Sequence, residues 1–311
     1  MSRRINRSLT ESTLIGSLCL KWCLFSMGLG MGIFFLSLSF LFGQTGTFVN
    51  HETIQVNRKV QLMGTWCELA IHCTQREEGL SQLEDLIRIL ENTENELSTW
   101  RPGSTLSRLN SSPIGQRFVL DRRICLLFRQ LFSWSQDTES AFDPSLGALV
   151  KVWGLRTDGR RPSIEELGRA RSISGLANFD LNEDGCFIVR RGPAKIDAGA
   201  FGKGEALDRA YAYSKQTGLK PWLINFGGQI MAHKIPPQQD YWEVSAAHPR
   251  TREVLCTLRL SSGALAVSGG SERDVRIQGE RIGHVIDPRT GFPALFEGSV
   301  MVWHPRALVA D

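Results

Sequence analysis

The chain has 311 residues, 42% of them hydrophobic and 22% charged, with a formal net charge of +4. This is an ordinary globular composition, large enough for one sizeable domain or two small ones. The positive charge is partly local to Arg3, Arg4, Arg7 and Lys21, and no later segment concentrates Lys and Arg among aromatics, which argues against nucleic acid as a partner.

Trp22–Phe42, WCLFSMGLGMGIFFLSLSFLF, runs 21 residues without a charge, about the hydrocarbon thickness of a bilayer as a helix. It exceeds the roughly 7 to 15 apolar residues of a signal peptide core. With basic residues ahead of it, the run predicts a cytoplasmic segment 1–21, a transmembrane anchor 22–43 and a domain 47–311 across the membrane. Cleavage near GQTG, Gly43–Gly46, is the alternative. Neither Cys19 nor Cys23 has the small-residue context of a lipid-modified cysteine.

Five cysteines follow: Cys67, Cys73, Cys125, Cys186 and Cys256. An odd number leaves at least one thiol unpaired in an oxidising compartment, and no C-x-x-C is present. Cys67 and Cys73 are six apart on an expected strand, too far to bridge. The five read as small buried hydrophobes.

Alternation around Gly64 in residues 53–73 predicts an antiparallel hairpin. Leu80, Leu83, Leu86, Ile87, Leu90 and Leu97 recur at helical spacing, giving a helix over about 77–97. A second helix is expected behind Asp121 as N-cap and a third behind a capping box of Ser163 and Glu166. A fourth runs from about Phe201 to Thr217 and stops at Gly218. WLINF, YWEVSAAH, EVLCTLRL, ALAVS and VMVWH read as strands. The class is α+β: a single catalytic unit of mixed or antiparallel sheets with flanking helices, and no repeat or linker divides residues 50–311.

Ahead of the fourth helix, KIDAGAFGKGEALDRA (Lys195–Ala210) looks like a phosphate loop but is not a standard one. Gly199 is too close to Gly202–Lys203 for a Walker A loop, and Leu207 stands where G-x-G-x-x-G needs its last glycine. Three other polar, glycine-containing segments accompany it: AFDPSLGALVKVWG (Ala141–Gly154), INFGGQI (Ile224–Ile230), and AVSGGSERD with GHVIDPRTGFP between Ala266 and Pro293. Each alone reads as a turn. Together they set Asp143, Asp197, Lys203, Ser268, Arg273, His284 and Asp287 in loops. An Asp with backbone carbonyls suits a hard cation, and a helix start with small residues offers N–H groups to a phosphate. The set points to a metal-assisted reaction at a phosphate.

In order, MGT (Met63–Thr65), STWRPGSTLSRLN (Ser98–Asn110), AFDPSLG, IDAGAFGKGEALD, NFGGQI, SGGSER, HVIDPRTGFP and the terminal AD resemble the FAD:protein FMN transferases, the ApbE-type flavin transferases. The resemblance covers about residue 60 to the C-terminus. It implies a Mg²⁺-dependent enzyme of the bacterial inner membrane, its catalytic domain on the periplasmic side. Such an enzyme splits FAD, attaches FMN to a threonine or serine of a target protein and releases AMP. By resemblance, Met63, Trp100 (where the family often has tyrosine), Ala141, Phe142, Asp143 and Ile286 line the FAD site, Asp197 holds a polar group of the nucleotide, and Lys203 contacts FAD. Ala200, through its carbonyl, and Asp311 hold Mg²⁺, and His284 is the expected general base. A structural histidine beside the Asp287 turn is the alternative for His284. The acceptor is expected to be a subunit of a membrane redox complex.

The family pattern continues past this aspartate as A-D-x-x-x-T, whereas the sequence reaches only Asp311. It therefore reads as truncated at its C-terminus, and a degenerate, non-catalytic protein that binds FAD or a partner is the second reading.

Overall fold

In a computed structural model of the chain, β1 (Ile54–Leu62) and β2 (Thr65–Cys73) pair antiparallel as the alternation predicts, with Leu62 opposite Thr65. Met63 and Gly64 form the two-residue turn, at φ of 48° and 71°. Positive φ at both positions matches the right-handed twist of the flanking strands. The structure describes residues 52–248, 251, 253–269, 274–294 and 298–311. The expected anchor at 22–43, Cys19, Cys23 and Arg273 lie outside these. Among the described residues no helix is long and apolar enough to cross a membrane.

The long helices begin and end where their local chemistry directs. Helix α1 (Arg76–Leu97) buries Leu83, Leu86, Ile87, Leu90 and Leu97 along one stripe, each worth roughly 1.5–3 kcal/mol of transfer free energy. After the short α2 (Thr105–Ser111) and β3 (Arg117–Val119) comes α3 (Arg122–Asp137), capped by Asp121, which accepts from the Ile124 amide at 3.0 Å. A six-residue α4 (Gly147–Val152) precedes α5 (Ile164–Ser172), where the Ser163–Glu166 box forms with both reciprocal bonds. Then β4 (Phe179–Asn182) and β5 (Phe187–Arg190) lead to α6 (Gly202–Thr217), ended by Gly218 at φ 73°. The fourth helix thus starts one residue later than expected. Phe201 stays outside it as a fully buried plug.

The remaining strands are β6 (Trp222–Phe226), β7 (Gln229–His233), β8 (Trp242–Ala247), β9 (Val254–Leu260), β10 (Gly263–Gly269), β11 (Val275–Ile277), β12 (Glu280–Ile282) and β13 (Ser299–His304), before a four-residue α7 (Ala307–Ala310). Six strands form one sheet in the order β1-β2-β6-β7-β10-β13, and every ladder among the described residues is antiparallel. Helices α1 and α6 cover one face around Leu69, Ile71, Ile224 and Phe226. The β8–β9 hairpin covers the other through Trp242, Val244 and Leu260. A second core gathers α2, α3 and the β3-β5-β4 sheet around Phe128 and Phe201. This is the α+β arrangement of antiparallel sheets and flanking helices.

The cysteine reading holds for Cys67 and Cys73, which are buried and free. Burial pushes the Cys67 thiol up to about 12, with Glu68 adding to the effect. For the others it is corrected: Cys256 is free but exposed, and Cys125 and Cys186 form a disulfide across 61 residues of sequence, with their Cα atoms 5.4 Å apart. The bond ties the first turn of α3 to the residue before β5 inside the second core, where Cys125 is buried and Cys186 packs against the cluster. Cys125→Ser with Cys186→Ser is expected to lower stability by about 2–4 kcal/mol by restoring chain freedom to the unfolded state. Urea melts of the oxidised protein and the double variant measure the loss, and coincident midpoints would refute it.

Candidate functional site

The Lys195–Ala210 stretch is held by backbone partners. Asn110 of α2 donates to the Ile196 carbonyl and accepts from the Ile196 amide, both at 2.8 Å, so a buried side chain acts as a strand partner. The Asp197 amide donates to the Pro144 carbonyl at 2.7 Å, joining this stretch to the AFDPSLG loop. Asp197 Oδ1 then accepts from the Gly199 amide at 2.8 Å and turns the chain into a single 3₁₀ turn, Ala198–Ala200.

At the start of α6 the structure brings together two residues singled out from sequence. Asp311 Oδ2 accepts from the Gly204 amide at 2.9 Å, and Asp311 Oδ1 lies 3.5 Å from Lys203 Nζ. The amide expected to face a phosphate is thus taken by a carboxylate, the anion a helix N-terminus favours. Ala200, one turn earlier, is exposed.

The position of Asp311 depends on the seat of α7. Asp208 of α6 accepts from the Ala307 amide at 2.6 Å and the Leu308 amide at 3.3 Å, serving as an N-terminal cap supplied by another helix. Burial raises the Asp208 pKa above the usual carboxylate value, opposed by these amides and Arg306. Gln229 donates to the Ala307 carbonyl at 2.9 Å. Gly204 lets the two helices touch: a Cβ there would lie 2.6 Å from Leu308 Cα and 2.8 Å from the Ala307 carbonyl. Sequence reading missed Asp208. Its only signal was the four-residue spacing from Gly204, which puts both on one helical face.

Two adjoining cavities open beside this cluster. One, of about 500 Å³, is lined by Met63, Glu94, Trp100, Asp197 and Lys203 among others. The second, of about 490 Å³, includes Asn110, Lys151 and Lys195. Both share Thr99, Trp100, Arg156 and Asp197. Met63 is fixed at the cavity by its amide, which donates to Glu94 Oε1 at 2.9 Å. Trp100 is 74% exposed, a large ring left uncovered by the fold. Arg156 lies over that ring at 5.3 Å and pairs with Asp197.

The other residues expected at the flavin lie outside both linings. Asp143 is buried and accepts from the Ser145 amide at 2.7 Å and the Leu176 amide at 2.8 Å, the bonds of a loop anchor. Burial raises its pKa against these two bonds. Ala141 is exposed, and Phe142 packs edge-on against Trp134. Ile286 sits in a separate apolar cluster with Leu149, Trp153 and Leu167.

His284 has a partner that sequence reading did not single out. Its Nδ1 lies 2.9 Å from Asp274 Oδ1, and its amide donates to the same oxygen at 3.2 Å. The Asp274 side chain is only 4% exposed, and its second oxygen accepts from Arg281 Nε at 2.8 Å. Burial alone would raise the Asp274 pKa, but the bonds from His284 together with Arg281 hold it below the usual value. A carboxylate only accepts, so Nδ1 carries the proton and a neutral His284 ring presents a bare Nε2. Asp287, the expected neighbour, instead pairs with Arg289 through a forked contact at 3.0 and 3.1 Å.

A family model described as the ApbE family matches residues 63–311. A protein of Buchnera aphidicola named FAD:protein FMN transferase is 24% identical, over 90% of this chain and 83% of its own length. One of the same name from Rhodobacter capsulatus is 28% identical over 82% of this chain, which spans half of that relative's length. Among solved structures, the ApbE protein of Thermotoga maritima superposes with a TM-score of 0.77 at 25% identity, covering 83% of this chain and 84% of that one.

Proposed function

The chain belongs to the ApbE family, and from that premise we propose that it is a flavin transferase that splits FAD and joins FMN to a threonine or serine of a target protein, releasing AMP. The observation that carries this reading is the cluster of Lys203, Gly204 and Asp311 beside a cavity walled by Met63, Trp100 and Asp197. It supplies a cation, a carboxylate and an exposed aromatic ring, which suit the phosphates, the metal and the ring system of a flavin dinucleotide.

In this reading the acceptor hydroxyl gives its proton to Nε2 of His284, and Asp274 stabilises the imidazolium that results. The hydroxyl oxygen attacks the phosphorus on the FMN side, the bond from that phosphorus to the bridging oxygen breaks, and AMP leaves with the bridging oxygen. Lys203 offsets charge on the phosphates.

Among the described residues no three His, Cys, Asp or Glu side chains gather as a metal cage. One carboxylate and one carbonyl suit Mg²⁺, which keeps waters and takes substrate phosphates as ligands. Asp311 and the Ala200 carbonyl would hold it. Bound there, Mg²⁺ would supply Lewis-acid withdrawal of charge from the pyrophosphate.

The same reading puts the domain outside the cytoplasm, behind an anchor at 22–43, with a membrane redox subunit as acceptor. Support comes from the uncharged run of 21 residues and from the Cys125–Cys186 disulfide, a bond that persists in oxidising compartments. The test is to incubate the full chain with FAD, Mg²⁺ and a threonine-containing acceptor domain and weigh the acceptor. A gain equal to FMN is expected. No gain with FAD still bound would mean a non-catalytic flavin-binding protein.

A further inference from the structure

Arg156 lies where the two cavities meet. Its side chain is 38% exposed, so solvent leaves it room to turn. It is also doubly engaged: its guanidinium stacks on Trp100 at 5.3 Å, and it pairs with Asp197 while reaching Thr99 Oγ1 at 3.4 Å. It thereby lies over one face of the ring and neutralises the carboxylate on the shared wall. A substrate ring lying on that face of Trp100, toward the shared wall, requires Arg156 to move aside.

The second cavity adds Lys151 and Lys195 to Arg156, against the single carboxylate of Asp197, so the lining carries an excess of positive charge. Arginine differs from these lysines in presenting a planar fork that matches phosphate oxygens.

We propose that Arg156 is a positioning residue for the dinucleotide: it is parked on Trp100 and Asp197 in the free protein, and on binding it yields the ring face and pairs with a phosphate. This rests on the flavin transferase reading. The exchange replaces one ion pair by another, so it adds selectivity for phosphorylated flavins over the bare ring.

Titration of the full-length chain with FAD, FMN and riboflavin by flavin fluorescence tests it, using wild type, Arg156→Ala and Arg156→Lys. The alanine variant is expected to weaken FAD by about tenfold or more, as loss of a charge-assisted bond implies, while riboflavin stays within about twofold. Arg156→Lys is expected to fall between, with melting midpoints unchanged. An equal loss for FAD and riboflavin would show that Arg156 only props Trp100, and no loss for FAD would show that it meets no phosphate. Either overturns this inference and leaves the transferase reading standing. A wild-type chain that binds no flavin would overturn both.

Discussion

His284→Ala is expected to slow FMN transfer by about 10²- to 10⁴-fold, the usual contribution of a general base, while FAD affinity stays within a few-fold. The asymmetry follows from position. His284 is absent from the lining of either cavity, and its ring is engaged by Asp274 rather than by the walls around Trp100. Asp274→Asn is expected to slow transfer too, because an amide can donate as well as accept and no longer fixes the proton on Nδ1. Asp274 also has a pH signature in stability. Its folded pKa lies below the unfolded value of about 3.9, so its contribution is present above that value and disappears as pH falls through the folded pKa. The asparagine variant lacks that acid limb. Transfer kinetics and FAD titration on the same preparations decide the matter: if binding falls in step with transfer, His284 is a structural histidine.

Gly204→Ala is expected to destabilise the fold by about 1–3 kcal/mol and to raise the Mg²⁺ concentration needed for half-maximal transfer. Helix propensity alone predicts the opposite sign, since alanine is favoured over glycine inside a helix by about 1 kcal/mol. Packing decides. The new methyl meets Leu308 Cα at 2.6 Å, the Ala307 carbonyl at 2.8 Å and Asp311 Cβ at 2.9 Å, and two of these are backbone atoms that cannot rotate away. Overpacking of this kind costs 1–3 kcal/mol, and relief requires α7 to shift, carrying Asp311 from the Gly204 amide. Thermal melts and Mg²⁺ titrations read the two effects. A more stable variant with unchanged Mg²⁺ dependence would show that α7 is loosely seated and that Asp311 does not set the metal requirement.

Elements whose cause is local were legible in the sequence. The β1–β2 hairpin, the stripe of α1, the Asp121 cap, the Ser163–Glu166 box and the Gly218 stop each rest on residues within one or two turns. Strands of three or four residues, such as β3, β4 and β5, are too short to show a period, and α7 is one turn held by a distant aspartate. The site divides the same way. Lys203 and Asp311 were singled out and do meet. The partners that give residues their work were not: Asp274 for His284, Asp208 for α7, and Arg156 for Trp100 and Asp197. Each of these pairs is closed by tertiary folding, and a single sequence carries no spacing rule for them. The Cys125–Cys186 bond was illegible for the same reason, while the inability of Cys67 and Cys73 to bridge followed from strand geometry.

The strand order has a kinetic side. The β1–β2 and β6–β7 hairpins are short-range contacts that close quickly, but β2 must find β6 across more than half of the domain, and α6 must already be beneath them when α7 arrives. Pairings that distant carry a loop-closure cost before they return any burial, so they form late. Met63 rides on the first hairpin, Asp197 and Lys203 on the intervening segment, and Asp311 on the helix that docks last in chain order. A refolding chain is therefore expected to regain its helical signal before the segments that form the proposed nucleotide site come together.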